Sequence, residues 1–308
     1  MQGRAPPPEW KDSDSVPRLF NDVTVDPVRD AAASTALLCA VADGTILLHW
    51  QPVMSADGER ILYHEALSRV IDDDGALMPA GNLIAAAERV GTIGAIDRHN
   101  LNRVLDELEA APAVCLGINI SADSACLHPA WTRTLARLKA APQIAQRLVV
   151  EITETGTLPS LPAAIAFANE LRTLGCRIAI DDFGDGQASI RRLTALKPDI
   201  VKVDRHFTVG ALHSKAEYTI LERMIALAQA LSPVVIVEGV ETSAHREVVE
   251  SAGGTWQQGY YWAKPSPDRP WRSEIRQLKD LAVRQYRKGE ALVGHASISS
   301  APRFTVLR

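Results

Sequence analysis

Asp181 and Asp182 stand side by side where the apolar run Cys176-Arg177-Ile178-Ala179-Ile180 gives way to Phe183-Gly184-Asp185-Gly186. A run this short, closed by glycine-bearing loop residues, reads as a buried strand. Successive strand residues point to opposite faces, so both carboxylates serve one site only if Asp182 lies at a bend. Two carboxylates converging there would cradle one divalent cation, or two. A turn-initiating Asp beside a helix-capping Asp is the alternative, and it involves no ligand. What the other strands carry at their ends weighs one against the other.

The phase of each strand is informative. Tyr63 and Glu65 share a face, as do Cys115, Gly117 and Asn119; Val149 and Glu151; Ala179 and Asp181; Lys202 and Asp204; and Ile236 and Glu238. The opposite faces are aliphatic, as Val114, Leu116, Ile118 and Ile120 illustrate. Each strand thus offers an apolar face to outer helices and a polar residue near its C-terminal end on the inner face. In a barrel these ends form the active-site mouth, so Glu65, Asn119, Glu151, Asp181, Lys202 and Glu238 meet at one rim. With Asp182 that rim holds five carboxylates and one lysine, which cannot neutralise them. Buried carboxylates need partners or metals, and Mg²⁺ or Mn²⁺ suits carboxylate and amide oxygens better than Zn²⁺ does.

The elements that position these residues follow from periodicity. Strands are expected at 45–53, 61–67, 113–120, 147–152, 176–181, 199–204, 234–239 and, more weakly, 256–261. Helices fall between most of them: Leu101, Val104, Leu105 and Leu108 recur at helical spacing, as do Ile220, Met224, Leu227 and Leu231. Gly175 sits where a helix C-cap belongs and Thr242 where an N-cap does. About eight alternating units imply an α/β fold, a modified TIM (β/α)8-type barrel. Ser55–Glu59 leaves no room for a crossover helix, so the first two strands form a hairpin and cannot be a parallel pair. Residues 1–35 read as a flexible Pro-rich head, 36–272 as the barrel domain, and 273–308 as a C-terminal helix and tail.

Composition sets outer limits. The 308 residues are 46% hydrophobic and 23% charged, with net charge −4 and a sequence pI near 6.1, which is ordinary globular material. That balance argues against binding to DNA, RNA polymers or membrane surfaces. Cys39, Cys115, Cys126 and Cys176 form no CxxC pair and read as reduced thiols. The opening residues hold no signal core, and no stretch reaches the roughly 18 apolar residues of a membrane span. A cytoplasmic location is the expectation.

Read in order, these residues closely resemble the EAL domain family of cyclic di-GMP phosphodiesterases. The namesake triplet is Glu65-Ala66-Leu67, followed by Arg69. Gln51-Pro52, Asn119-Ile120-Ser121, Glu151-Ile152-Thr153-Glu154, Asp181-Asp182-Phe183-Gly184, Lys202-Val203-Asp204, Glu238-Gly239-Val240-Glu241 and Gln258-Gly259-Tyr260 also match. The resemblance spans about residues 40–268.

It implies a barrel whose first strand is antiparallel to the rest. It also implies hydrolysis of cyclic di-GMP to linear pGpG by two metals, Mg²⁺ or Mn²⁺. Glu65, Asn119, Glu151 and Asp181 would hold one metal. Asp181 would bridge to a second, held by Asp182 and approached through water by Glu238. Lys202 would hydrogen-bond the attacking water or the phosphate. Gln51, Leu67, Arg69, Asp204 and Gln258 would line the nucleotide groove, with Glu154 and Glu241 supporting the loop after Asp182. A homodimer through the barrel is implied as well.

Two departures stand out. Ser68-Arg69-Val70 replaces the usual Leu-Arg-Trp, and Gly184-Asp185-Gly186-Gln187-Ala188-Ser189 replaces a loop that commonly carries an aromatic residue and more hydroxyls. The altered loop makes a cyclic di-GMP receptor with little turnover the first alternative. An enolase-type barrel lyase or isomerase is the second, but one metal needs only about three such ligands.

Overall fold

The computed structural model describes residues 26–72, 74–153, 160–185 and 190–272. Its strands are β1 (Leu47–Ser55), β2 (Ile61–Ile71), β3 (Leu77–Pro79), β4 (Leu116–Ile120), β5 (Leu148–Thr153), β6 (Arg177–Phe183), β7 (Ile200–Val203), β8 (Val234–Val237) and β9 (Trp256–Gln257). The helices are α1 (Pro27–Ala42), α2 (Gly81–Val90), α3 (Ile93–Ala110), α4 (Thr132–Ala140), α5 (Pro142–Ala145), α6 (Leu161–Leu174), α7 (Ile190–Leu196), α8 (Arg205–Gly210), α9 (Lys215–Leu231) and α10 (Ser243–Ser251).

Eight of these strands close into a barrel in the order β1-β9-β8-β7-β6-β5-β4-β2, with β2 returning to β1. β1 is antiparallel to both neighbours, while the pairs from β2–β4 round to β8–β9 are parallel. The hairpin expected from Ser55–Glu59 is therefore the seam of the barrel. β3, which lacks any periodic signal, pairs with β2 from Arg69 to Ile71, beyond the stretch that β4 covers.

The strand phases hold. Tyr63, Cys115, Val149, Ala179, Ile200 and Ile236 pack together as an inner apolar layer. The alternate residues, among them Leu116, Ile118, Val150, Ile178, Val201 and Val235, join the layer shared with the helices. Charged side chains at the mouth thus rest on an apolar plug. The stripe Leu101, Val104, Leu105 and Leu108 of α3 is fully buried, contributing roughly 2 kcal/mol per large side chain. In α9, Leu221, Ile225 and Ala228 are buried, Met224, Leu227 and Leu231 of the expected series pack partly buried beside them, and Ile220 is exposed. Apolar residues nearly encircle that helix, so spacing alone does not choose the face. Gly175 caps α6 and Thr242 caps α10 as read from sequence.

The boundary at residue 35 is corrected by the structure. α1 begins at Pro27, N-capped by Asp26, so residues 27–35 are helical. Asp30 pairs with Arg89 at 2.6 Å, and the Ser34 hydroxyl meets Thr92 at 2.6 Å. These links dock α1 on the α2–α3 junction. Residues 1–25 and 273–308, with the tail expected there, lie outside the described residues.

At the other end, the chain beyond β9 returns to β1 and bridges it antiparallel at Ser266. Trp50 and Ser266 exchange backbone hydrogen bonds of 2.8 and 3.1 Å. Trp271 packs edge-on to Trp50. Buried Glu107 of α3 accepts from Trp271, Arg269 and Arg272. Among the described residues, no helix is long and apolar enough to cross a membrane.

Candidate metal centre at the barrel mouth

The Lys202 ammonium stands among four carboxylates. Its Nζ lies 3.1 Å from Glu65 Oε2, 2.8 Å from Glu151 Oε2, 3.0 Å from Asp181 Oδ1 and 2.7 Å from Glu238 Oε1. The side chain is fully buried. An ammonium has three protons for these four acids. Despite the short distances, Asp181 Oδ1 and both Glu151 oxygens have no aligned hydrogen-bond donor.

Asp181 and Asp182 reach the same space through a β-bulge. β6 and β7 pair Ala179 with Ile200 and Ile180 with Val201, then Phe183 with Val203. Two residues, Asp181 and Asp182, therefore oppose the single Lys202. Asp182 takes φ +57°, in the left-handed region, which Asp tolerates better than most residues. The bulge cancels the strand alternation, and it is the bend that the adjacent carboxylates require. Asp181, Asp182 and Glu238 each bring an oxygen within 4.8 Å of the others, and so do Glu65, Glu151 and Asp181. Asp181 belongs to both groups.

Electrostatics mark the centre as short of positive charge. Burial drives Glu151 and Glu238 far above the usual carboxylate range, with Glu65 and Asp181 among the acids adding to it. Burial and Asp181 push Asp182 up to about 8. Burial also raises Glu65, but the Lys202 charge and hydrogen bonds from Gln258 and Asn119 outweigh it and hold the group low. Lys202 itself is held protonated by its acids in spite of burial.

The donors fit a hard divalent cation. Asn119 Nδ2 donates to Glu65 Oε1 at 2.5 Å and Gln258 Nε2 to Glu65 Oε2 at 2.6 Å. Both amides keep a buried carbonyl oxygen without a partner. Carboxylate oxygens that share a single ammonium, with unpartnered amide oxygens around the same space, are the ligand set of Mg²⁺, Mn²⁺ or Ca²⁺.

A pocket of about 210 Å³ opens over this cluster. Of the expected groove residues, Gln51, Leu67 and Gln258 line it, together with Glu65 and Glu238. Gln51 is held by a 3.0 Å bond from its Nε2 to Ala263 O. Arg69 and Asp204 are not among the lining residues. Arg69 Nη1 donates to Ser68 O, and Asp204 Oδ1 caps α8 by accepting from His206 N at 2.7 Å. Glu241 is on the pocket wall, paired with Arg205 at 3.2 Å. Glu154 and loop residues 186–189 lie outside the described residues. Sequence reading passed over Arg205, Gly239 and Tyr260 as lining residues. Arg205 and Gly239 follow strand ends closely, and asking which residues come directly after each strand would have found them.

An EAL domain model matches residues 34–265. The chain belongs to the EAL domain family. EAL relatives include cyclic di-GMP phosphodiesterase PdeF of Escherichia coli, 32% identical over 75% of this chain and 31% of that protein. Another is cyclic di-GMP phosphodiesterase NbdA of Pseudomonas aeruginosa, 30% identical over 74% of this chain and 30% of its own length. This EAL chain thus spans about a third of the length of these curated relatives. The structure of the PaMucR phosphodiesterase in complex with c-di-GMP superposes with a TM-score of 0.67 at 26% identity, over 77% of this chain and 98% of that one. The first seven residues of α1 and the Arg269–Arg272 contacts fall outside the EAL match.

Proposed function

We propose that this chain hydrolyses cyclic di-GMP to linear pGpG, opening one of its two phosphodiester bonds with the help of two divalent cations, Mg²⁺ or Mn²⁺. The observation that carries this reading is the membership of Asp181 in both oxygen groups, which lets one carboxylate serve two cations. Glu65, Asn119, Glu151 and Asp181 would hold one of them, and Asp181 and Asp182 the other, with Glu238 beside it. Such cations lower the pKa of a bound water and clamp the attacking and leaving oxygens of an in-line displacement.

The chain's own residues do the rest. Lys202 keeps its proton and offers it to the phosphate or to the attacking water. The apolar layer beneath the cluster keeps bulk water from the strand side of the centre. Gln51 and Gln258 are fixed by hydrogen bonds at the pocket wall. Arg69 and Asp204 enter as outer groove residues, with Glu154 as a brace for the loop after Asp182. A homodimer through the barrel and a cytoplasmic location belong to the same proposal.

The test is incubation with cyclic di-GMP and Mg²⁺ or Mn²⁺, followed by chromatography for pGpG. Product that vanishes with a chelator supports the hydrolase. Tight binding without product in either metal would sink it and leave a cyclic di-GMP receptor.

A further inference from the structure

We infer that Glu107 is a positioning residue: by fastening residues 263–272 to α3 it closes the barrel seam at the mouth end of β1. The clamp it forms with Arg269, Trp271 and Arg272 is not among the residues lining the pocket. Its three donor residues also fall beyond the stretch that the EAL model matches.

β1 is poorly paired on one side. Among the described residues, β9 pairs with it only at Met54 and Ser55. Because β1 runs against the other strands, these two residues lie at the end far from the mouth. The mouth half, residues 47–51, pairs with β2 on one edge. On the other edge the chain after β9 takes the place of a strand. Trp50 and Ser266 exchange backbone hydrogen bonds, His49 Nδ1 lies 3.3 Å from Pro265 O, and Gln51 Nε2 donates to Ala263 O at 3.0 Å. Three consecutive residues of β1 are thus held by this latch.

Glu107 anchors the latch. Its side chain is 5% exposed, beside Val104 and Leu108 on the buried side of α3. An acid there is costly unless its oxygens are filled. Oε1 accepts from Trp271 Nε1 at 2.8 Å and Arg272 Nε at 2.7 Å, and Oε2 accepts from Arg269 Nε at 2.9 Å and Arg272 Nη2 at 2.6 Å. Four donors occupy the roughly four acceptor sites of a carboxylate, and the two from Arg272 make a parallel fork. Trp271 meets Trp50 edge-on at 5.4 Å, and the Arg269 guanidinium lies 5.7 Å over the same ring. The clamp therefore ties α3 to β1.

Loosening it separates Gln51 from the metal-facing acids. Glu65 sits on β2, whose other edge is paired with β4 at His64, Glu65 and Ala66, so it keeps its place. Gln51 loses the carbonyl that orients its amide. With the function proposed above, a loose latch weakens substrate binding and spares the chemical step.

Two measurements on the full chain test this, hydrogen–deuterium exchange without ligand and steady-state hydrolysis of cyclic di-GMP with Mn²⁺. Glu107→Gln sets amide protons against arginine donors and breaks the clamp. Exchange should quicken about tenfold or more in peptides covering 47–51 and 263–267 and stay unchanged in β5 and β6, as local opening requires. KM should rise about tenfold, the size of one misplaced hydrogen bond, with kcat within about threefold. Arg272→Ala, at a side chain 53% exposed, leaves Arg269 and Trp271 on Glu107 and should give the same pattern more weakly. In a Gln51→Ala background, Glu107→Gln should raise KM no further, because both act through one amide. Faster exchange throughout the barrel, a fall in kcat at unchanged KM, or full additivity with Gln51→Ala would overturn the inference. If the unmodified protein neither binds nor hydrolyses cyclic di-GMP, the proposed function falls, and the exchange pattern still decides whether Glu107 closes the seam.

Discussion

Gly117 on β4 lies against the Glu151 carboxylate of β5 with no room for a side chain between them. A β-carbon at 117 would collide with Glu151 Oε1 and come 2.5 Å from the Tyr63 ring. Tyr63 and Glu151 are both fully buried, so neither can swing into solvent. Gly117→Ala should therefore displace the carboxylate from the Asp181 group, at about 1–3 kcal/mol in stability for overpacking. Turnover should fall by at least about a hundredfold, as expected for a misplaced catalytic ligand. Hydrolysis rates alongside thermal melting check this, and a variant with near-normal rate would show that Glu151 need not sit where the structure places it.

Among the described residues, Lys202 is the one cation in contact with these four acids, of which Glu65, Glu151 and Asp181 are buried and Glu238 is partly exposed. Lys202→Met keeps the aliphatic stem but removes the charge. Leaving buried charge unpaired costs about 3–5 kcal/mol, so the melting temperature of the metal-free variant should drop clearly. Mn²⁺ should raise that temperature more in the variant than in the parent, because the acids bind cations harder without their ammonium. Equal Mn²⁺ shifts in the two proteins would count against a shared cluster.

Asp182 is held in the left-handed region by the bulge, not by a glycine. That conformation costs a non-glycine residue about 1–2 kcal/mol, and holding this half-buried acid beside Asp181 adds to it. Asp182→Gly should raise the melting temperature while abolishing turnover, and Asp182→Asn should lose turnover without the full gain in stability. A glycine variant that melts lower than the parent would mean that the carboxylate stabilises the bulge.

Much of this was legible because barrel strands repeat a two-residue period. Glu65, Asn119, Glu151, Asp181, Lys202 and Glu238 could be placed on one face by phase alone, and the bend at Asp182 followed from its being out of phase. The Glu107 contacts with Arg269, Trp271 and Arg272 were not legible, since residues more than 160 positions apart leave no local pattern. β3 escaped because its three residues are all exposed and show no alternation. The helical spacing in α9 was legible, and Met224, Leu227 and Leu231 do pack against the core, but the fully buried positions Leu221, Ile225 and Ala228 lie beside them. Arg205 escaped because phase arguments stop where a strand stops.

Asp97 gives the protein a pH dependence away from the carboxylate cluster at the barrel mouth. It lies on α3, 5% exposed, and accepts a 3.1 Å bond from Ser121 N. Burial pushes its carboxyl up to about 7 from 3.8. The folded chain therefore keeps a proton that the unfolded chain releases near pH 4. Between pH 4 and pH 7 folding takes up that proton, so stability falls with rising pH by about 1.4 kcal/mol per unit and levels off above 7. The full span is on the order of 4 kcal/mol. Asp97→Asn keeps an acceptor for Ser121 N and has no proton to lose. Its stability relative to the parent should rise from pH 4 to pH 7 and stay constant above. Nearby Glu88, also raised by burial, adds its charge to the Asp97 shift, so both proteins are compared in a Glu88→Gln background as well. Urea unfolding of both at pH 5, 6, 7 and 8 measures it; a difference that does not change with pH would place the Asp97 carboxyl at its ordinary value.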